Sequence, residues 1–461
     1  MSSPVQTESA ARRTPIAVVI DLLKGRGANG RTQRDALMAF TIRVASAAIL
    51  YVSQVALARW MGTYEYGIYV FVWSWVLVLG GLAPLGLSMA MIRLVPEYSE
   101  NRRFGLLHGL LLGGRLLVLA SSTLIALAGL LALWLLGDRI SSHYVLPVYL
   151  ALVCLPMYAL SDSQDGIGRG FAWMGIALLS PYIVRPLLLL AVMATAYVAE
   201  LPMVAATAAG AAVIATWLAA ILQFALLQRR ISNDIAPAER AYDLRSWLGM
   251  SFPLLVISGC ELALQNADVL IISRILTPLE AAIYFAAAKT IGLVSFIHYA
   301  VGSAVAHRYS TLGTRGDHGA LQAFVRDSAH WTFWPTLVAI GGLLILGKPL
   351  LWLFGPQFTA GYDVMLILAA GFLLRAAMGP ADMLLKMVGQ QVLCAAILIV
   401  AAATNIALCF LLIPTYGLIG AATATSLALI VMGILSWASV FWRLGLNVSV
   451  WHQRSGSASR H

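Results

Sequence analysis

Charge is what this sequence has least of. Only 11% of its 461 residues are Asp, Glu, Lys or Arg, against about 25% in an average soluble domain. That shortage excludes a water-soluble globular chain. Cysteine is also scarce: Cys154, Cys260, Cys394 and Cys409 all fall in apolar segments and none forms a CxxC pair. A disulfide scaffold, a zinc knuckle and a CxxC redox site are thereby excluded, and buried structural thiols are expected. There is no GxxxxGK[ST], no GxSxG and no HExxH. The chain therefore has no ATP site of its own and none of those catalytic frames. Gly25 to Gly30 matches a dinucleotide fingerprint in letters only, because it follows no strand. The sequon Asn447-Val448-Ser449 lies on the side expected to be cytoplasmic, so glycosylation is not expected. No cofactor is expected.

Apolar residues dominate instead. They make up 60% of the chain, in segments at 36–58, 67–92, 106–136, 145–164, 173–198, 203–227, 247–275, 281–305, 328–354, 361–386, 390–412 and 417–442. Each is long enough for a membrane helix, and the third is long enough to tilt. Continuous runs of this kind exclude a barrel of alternating strands. The expected fold is an all-α polytopic membrane protein with twelve transmembrane helices. The first 34 residues are polar and basic, and no cleavable signal peptide is expected. Within them Ile16, Val19, Ile20 and Leu23 fall at helical spacing, so the run lies on the membrane surface or belongs to a disordered tail.

The net charge of +10 reads as topology rather than nucleic-acid binding. With the N-terminus inside, 21 Lys and Arg fall on the inner side. Only Arg59, Arg139, Arg274 and Lys348 fall outside. That bias places both termini in the cytoplasm and favours an even number of spans. The longest loops, 228–246 and 306–327, are expected inside. None of the outside loops is long enough to fold as a domain.

An internal repeat organises the spans. Ala58 to Tyr69 aligns with Ser273 to Tyr284, matching Arg59 with Arg274, Glu65 with Glu280, Ile68 with Ile283 and Tyr69 with Tyr284. Both runs join an outgoing helix to an incoming one. The chain thus divides into two six-helix halves related by a pseudo-two-fold axis along the membrane normal, as in transporters whose site lies between halves. The expected divisions are a basic segment 1–35, an N-terminal bundle 36–230, a linker 231–246, a C-terminal bundle 247–443 and a tail 444–461.

Five cations lie inside the apolar segments: Arg43, Arg115, Arg185, Lys289 and Arg375. A charge near the bilayer centre costs roughly 2.5–3.5 kcal/mol even on the lenient scale, so such residues face protein or water. Arg43 shares a helical face with Gln54. Arg185 sits between Pro181 and Pro186, which predicts a kinked or opened helix. Arg375 precedes Gly379-Pro380, a second predicted break, with Asp382 on its face. Arg115 lies nearer the cytoplasmic end and is expected to snorkel, with His108 solvated beside it. Arg43, Arg185, Lys289 and Arg375 are the candidates for an anion-binding cavity, since guanidinium binds phosphate oxygens in bidentate fashion.

On the seventh segment Ser258, Glu261, Gln265 and Asp268 recur every three or four residues and share one face. Two readings stay open: Glu261, Gln265 and Asp268 form a coupling site or gate, or the two acids neutralise Arg43 and Lys289. Prolines within spans and the Gly80-Gly81 pair suit jointed helices or close packing.

Arg34-Asp35-Ala36 into Phe40, Ala58-Arg59-Trp60-Met61-Gly62, Tyr66-Gly67-Ile68-Tyr69, Leu85-Gly86, Leu94-Val95-Pro96-Glu97-Tyr98 and Ile413-Pro414-Thr415-Tyr416-Gly417 through Ala422 together carry a resemblance. They resemble the polysaccharide biosynthesis flippases of the multidrug/oligosaccharidyl-lipid/polysaccharide exporter superfamily. The resemblance implies two bundles facing each other in a V. It implies transfer of an undecaprenyl-diphosphate-linked oligosaccharide across a bacterial inner membrane for lipopolysaccharide or exopolysaccharide synthesis, driven by a Na+ or H+ gradient. The partners it implies are the lipid-linked oligosaccharide, membrane lipids, and the polysaccharide polymerase and chain-length machinery.

Two alternatives remain. A cation-coupled drug or metabolite antiporter of the same fold would want an acidic lining. A glycan polymerase or ligase would want a catalytic pocket on a sizeable outer loop.

Overall fold

The structure is a computed structural model that describes residues 28–136, 141–315 and 318–450, with side chains described for all of these except 28–40, 43, 136, 303, 307 and 313–315. The run Ile16–Leu23 lies outside the described residues. Every regular element among the described residues is helical. The elements are α1 (Ala28–Leu82), α2 (Leu87–Glu100), α3 (Phe104–Leu136), α4 (Ser142–Gly170), α5 (Met174–Leu179), a π-helical turn (Ser180–Val184) and α6 (Arg185–Val198). Then follow α7 (Ala205–Asp234), α8 (Leu244–Ile275), α9 (Pro278–Gly292), α10 (Ser295–Arg315), α11 (His318–Ile345) and α12 (Gly347–Phe354). A 3-10 turn (Pro356–Gly361), α13 (Tyr362–Ala377), α14 (Ala381–Met387) and α15 (Gln391–Leu444) complete the chain. Helices satisfy every backbone polar group internally, which a hydrocarbon solvent demands.

Nine helical stretches among the described residues are long and apolar enough to cross a membrane, or ten if α11 and α12, bent by 60° at their junction, form one span. Two of these stretches double back. Within α1, Tyr66 donates a 2.8 Å hydrogen bond to Gln54, although twelve residues of straight helix would separate them by about 18 Å. The reversal is at Gly62, whose φ of 76° lies in the left-handed region open to glycine. Within α15, Asn405 donates to Thr425 at 3.1 Å across a reversal at Gly417, φ 56°.

Other expected boundaries move. The 281–305 segment is two helices separated at Leu293-Val294. The loops expected at 228–246 and 306–327 are largely helical, because α7 continues to Asp234 and α10 and α11 extend toward each other. The break expected after Arg375 is present, with Gly379 at φ 62° between α13 and α14.

Both copies of the internal repeat form turns, and the two turns meet. A Cβ on Gly67 would stand 1.8 Å from the carbonyl oxygen of Pro278, so only glycine allows this approach. The matched residues have acquired different partners. Glu280 completes a capping box with Thr277 at the start of its own helix. Glu65 accepts from the backbone N–H of Ala205 at 2.7 Å, capping α7 instead.

The distribution of the apolar core marks the seam between the two halves. At the end carrying these turns, one cluster joins both bundles: Leu57, Tyr66, Ile68 and Tyr69 pack with Ile283, Tyr284, Phe285, Phe354 and Phe358. At the opposite end two clusters stand apart. One holds Leu87, Met91, Leu94, Leu107 and Leu227, and takes Trp247 from the start of α8. The other holds Val305, Tyr309, Phe324, Leu384 and Val440. The molecule is therefore sealed by apolar packing at one end, while at the other α8 is the element that reaches across.

Candidate functional site

Arg185 begins α6 at the handover from a π-helical turn that contains Pro181, with Pro186 following it. The predicted opening is thus present, in the form of a wider turn. Such turns are frequent at functional sites. The guanidinium carbon lies 5.1 Å from the Tyr158 ring centroid and 5.7 Å from that of Trp73. Asp162, one turn beyond Tyr158 on α4, lies in the electrostatic reach of Arg185 and Arg169. Among the described residues no carboxylate stands at ion-pairing distance from Arg185, whereas Arg169 is paired with Asp165. Arg185 is a held, aromatic-backed cation with donors to spare.

Across the seam the cations are more occupied. Arg375 meets Asp382 at 3.8 Å, and His298 meets the same carboxylate at 3.2 Å. Arg375 and Asp382 line a small recess closed by Gly433 and Ser436. Glu261 pairs with Lys386 at 3.8 Å and lies in the field of Arg375. Lys386 is thus one end of a charge network joining α8, α10, α13 and α14. The reading in which the two acids neutralise Arg43 and Lys289 is met in part by Asp268 and Lys289, while the side chain of Arg43 lies outside the described residues. Gln54, expected to share a cavity face with Arg43, is buried and accepts from Tyr66 instead.

The face Ser258-Glu261-Gln265-Asp268 divides. Gln265 is exposed and Glu261 half-buried, while Asp268 is buried. Asp268 accepts from the Tyr284 hydroxyl at 2.6 Å, from the Thr425 hydroxyl at 3.2 Å and from its neighbour's N–H at 2.8 Å. Thr425 in turn accepts from Asn405, whose side-chain oxygen is buried without a hydrogen-bond partner. Lys289 is half-buried, with its ammonium 5.0 Å from the Phe285 ring centroid and in the field of Asp268. Three helices therefore supply oxygen atoms and a single negative charge to one buried spot, a chemistry suited to a proton or a small cation. Tyr69, the repeat partner of Tyr284, has a buried hydroxyl with no partner.

The Arg185 and Glu261 groups flank one stretch of α1. Built onto Gly80, a Cβ would lie 2.4 Å from Tyr158, and on Gly81 one would lie 2.6 Å from Leu262. The two glycines let α4 and α8 close on the same helix from opposite sides.

Sequence reasoning missed Asp162, Tyr158, Trp73, His298, Asn405 and Thr425. Asp162 was signalled by carboxylates at i and i+3 with Arg169 one turn further along α4. The others carried no local signal, since their partners come from distant helices. Arg115, expected to snorkel, is 6% exposed and donates to Gln228 at 3.2 Å. His108 contacts the Ala236 carbonyl at 3.0 Å. Cys154, Cys394 and Cys409 are buried and all four cysteines are free thiols.

At the sealed end, Arg59 reaches from the first turn to the C-terminus of α12. Its guanidinium donates to the carbonyls of Leu353 and Trp352, each at 2.6 Å, and stacks over the Trp352 ring. The last carbonyls of a helix lack intrahelical donors and favour a cation. Tyr51 adds a bond to the Leu350 carbonyl.

A family model described as polysaccharide biosynthesis protein matches residues 33–306. A curated relative from Haloferax volcanii, named a probable low-salt glycan biosynthesis flippase, Agl15, is 25% identical over 169 residues, and the match spans 36% of each chain. Among solved structures, an inward-facing multidrug resistance MATE family transporter of the MOP superfamily superposes with a TM-score of 0.70 at 12% identity. It covers 88% of this chain and 98% of that one. The inward closed lipid II flippase MurJ gives 0.68 at 15% identity, covering 88% and 87%.

Proposed function

We propose, for a chain that belongs to the polysaccharide biosynthesis protein family, that it moves an undecaprenyl-diphosphate-linked oligosaccharide from the inner to the outer leaflet of a bacterial inner membrane. The coarser statement needs no proposal: this is a multi-pass membrane protein with the fold of transporters and flippases. The finer reading rests on one observation above the rest. Arg185 is an embedded guanidinium held by aromatic rings with no paired carboxylate among the described residues. Such a group suits a diphosphate, whose transfer through a low-dielectric medium is prohibitive without offsetting charge. Lys289 is the second such cation. Arg375 contributes less net charge, because Asp382 neutralises it. Arg43 enters on its sequence position alone.

Twelve crossings in two six-helix bundles, 36–230 and 247–443, agree with the reversals at Gly62 and Gly417. Both termini are cytoplasmic in this reading, so the apolar seal and its Arg59 latch form the outer gate. The chain is then closed to the outside and takes its cargo from the inner leaflet. Asp268, with Tyr284, Thr425 and Asn405, is the coupling position for Na+ or H+, and Glu261 and Gln265 lie on the route toward it. The protein is a transporter rather than a polymerase or ligase.

Deletion of the chain tests the proposal. It is expected to remove surface polysaccharide and to accumulate the lipid-linked precursor in the inner leaflet. Normal polysaccharide with altered drug susceptibility would replace the cargo with a small molecule.

A further inference from the structure

We propose that Arg115 and its neighbours form a binding site for an anionic phospholipid headgroup, on the outer flank of the N-terminal bundle between α3 and α7. Arg115 is 6% exposed. One terminal nitrogen donates to Gln228, but Nε and Nη2 are buried with no hydrogen-bond partner. Among the described residues no carboxylate pairs with it. A second orphan lies at the same level. Gln164 is 0% exposed, and neither its side-chain nitrogen nor its oxygen has a partner. It sits one turn past Ser161, which donates to Gln223. The parallel course of α4 and α7 sets Gln164 level with Leu227 and Gln228. A buried guanidinium with unused donors demands an anion.

The depth of the site identifies that anion. The linker 235–243 runs against the first turns of α3. Ala241 donates to the Gly105 carbonyl, and a Cβ on Gly109 would lie 1.8 Å from the Ala241 oxygen. The linker carries Glu239, Arg240 and Asp243, all exposed, so it lies outside the hydrocarbon. Gly113 still touches the Tyr242 ring, and tyrosine is a residue of the membrane interface. Arg115 is about 3 Å further along the helix, at the level of lipid phosphates. Phe224 lies over the guanidinium, 4.9 Å to its ring centroid, and is 40% exposed. Rotation of this ring uncovers the donors. Arg229, exposed at the mouth, adds charge, and basic pockets between membrane helices on the cytoplasmic side suit anionic headgroups.

The test uses full-length protein, with bound lipid read by native mass spectrometry. Phosphatidylglycerol, phosphatidylcholine and inorganic phosphate are titrated separately. Phosphatidylglycerol is expected to be retained, phosphatidylcholine not, and inorganic phosphate is expected to neither bind nor compete. Arg115→Gln is expected to weaken phosphatidylglycerol about tenfold, as loss of a charge-assisted hydrogen bond implies, and Arg115→Lys to keep most of it. Phe224→Ala is expected to raise the affinity, which an arginine of purely structural role would not cause. Equal retention of the two lipids, displacement by inorganic phosphate, or unchanged binding in Arg115→Gln overturns the proposal. Should Arg115→Gln not fold, an unaltered affinity in Phe224→Ala does the same.

Discussion

Arg185 and Arg375 carry the same charge into different surroundings, and substitution should separate them. Arg185 faces rings, so Arg185→Ala removes a ligand while leaving no carboxylate stranded. Initial rates of lipid-linked substrate transfer in proteoliposomes should fall about tenfold or more. Arg185→Lys should fall between, since an ammonium is a point charge without the bidentate fork. Arg375→Ala strands Asp382, leaving His298 as its remaining close partner. Thermal unfolding should show a loss of about 1–2 kcal/mol, between the exposed and buried limits for ion pairs. Arg375→Ala combined with Asp382→Ala should recover part of it. At the position proposed for coupling, Asp268→Asn keeps an acceptor for Tyr284 and Thr425 but removes the charge. Folded protein should therefore persist while gradient-driven transport is lost. Transport in that variant with unchanged gradient dependence would remove Asp268 from the mechanism.

At the scale of the element, two neighbouring glycines of α1 answer to different physics. A methyl group added at Gly62 would meet no heavy atom within 4 Å, so Gly62→Ala meets only the left-handed backbone penalty, about 1–2 kcal/mol. Gly67→Ala meets the Pro278 carbonyl. That clash exists only while the two repeat turns touch. Gly67→Ala should therefore shift the molecule away from the sealed state, and Gly62→Ala should lower stability without choosing a state. Spin-label distances between residues 64 and 357 should lengthen in the first variant alone. The reversal at Gly62 was legible from sequence as a turn, because Ala58 to Tyr69 joins two apolar runs. The close approach at Gly67 was not, since contact between helices far apart in the chain leaves no mark in either local pattern.

For the whole molecule, the asymmetry between one shared apolar cluster and two separate ones is what the proposed alternation between two states would act on. Arg59 holds the sealed state through two carbonyls of α12. Arg59→Ala should raise the labelling rate of a cysteine placed at Phe358, which is buried in the seal. Orientation is tested separately. A reporter that fluoresces only in the cytoplasm should be active after residue 450 and silent between residues 276 and 278, and the reverse pattern would invert the direction of transport. Membership of the bilayer, the helical class and the break near Arg375 were all legible in composition and spacing. The charge network of Glu261, Lys386, Arg375, Asp382 and His298 was not, because α8, α10, α13 and α14 meet only in the folded bundle.

The sequence by itself determined that this chain lives in a membrane, which residues carry charge into it, and where glycine and proline interrupt its helices. Those properties are local, set by transfer free energy and backbone sterics along a single segment. Only the tertiary structure decided which of the described cations are matched by acids and which are not. Pairing depends on side-chain distances between helices, and these follow from how the whole bundle packs.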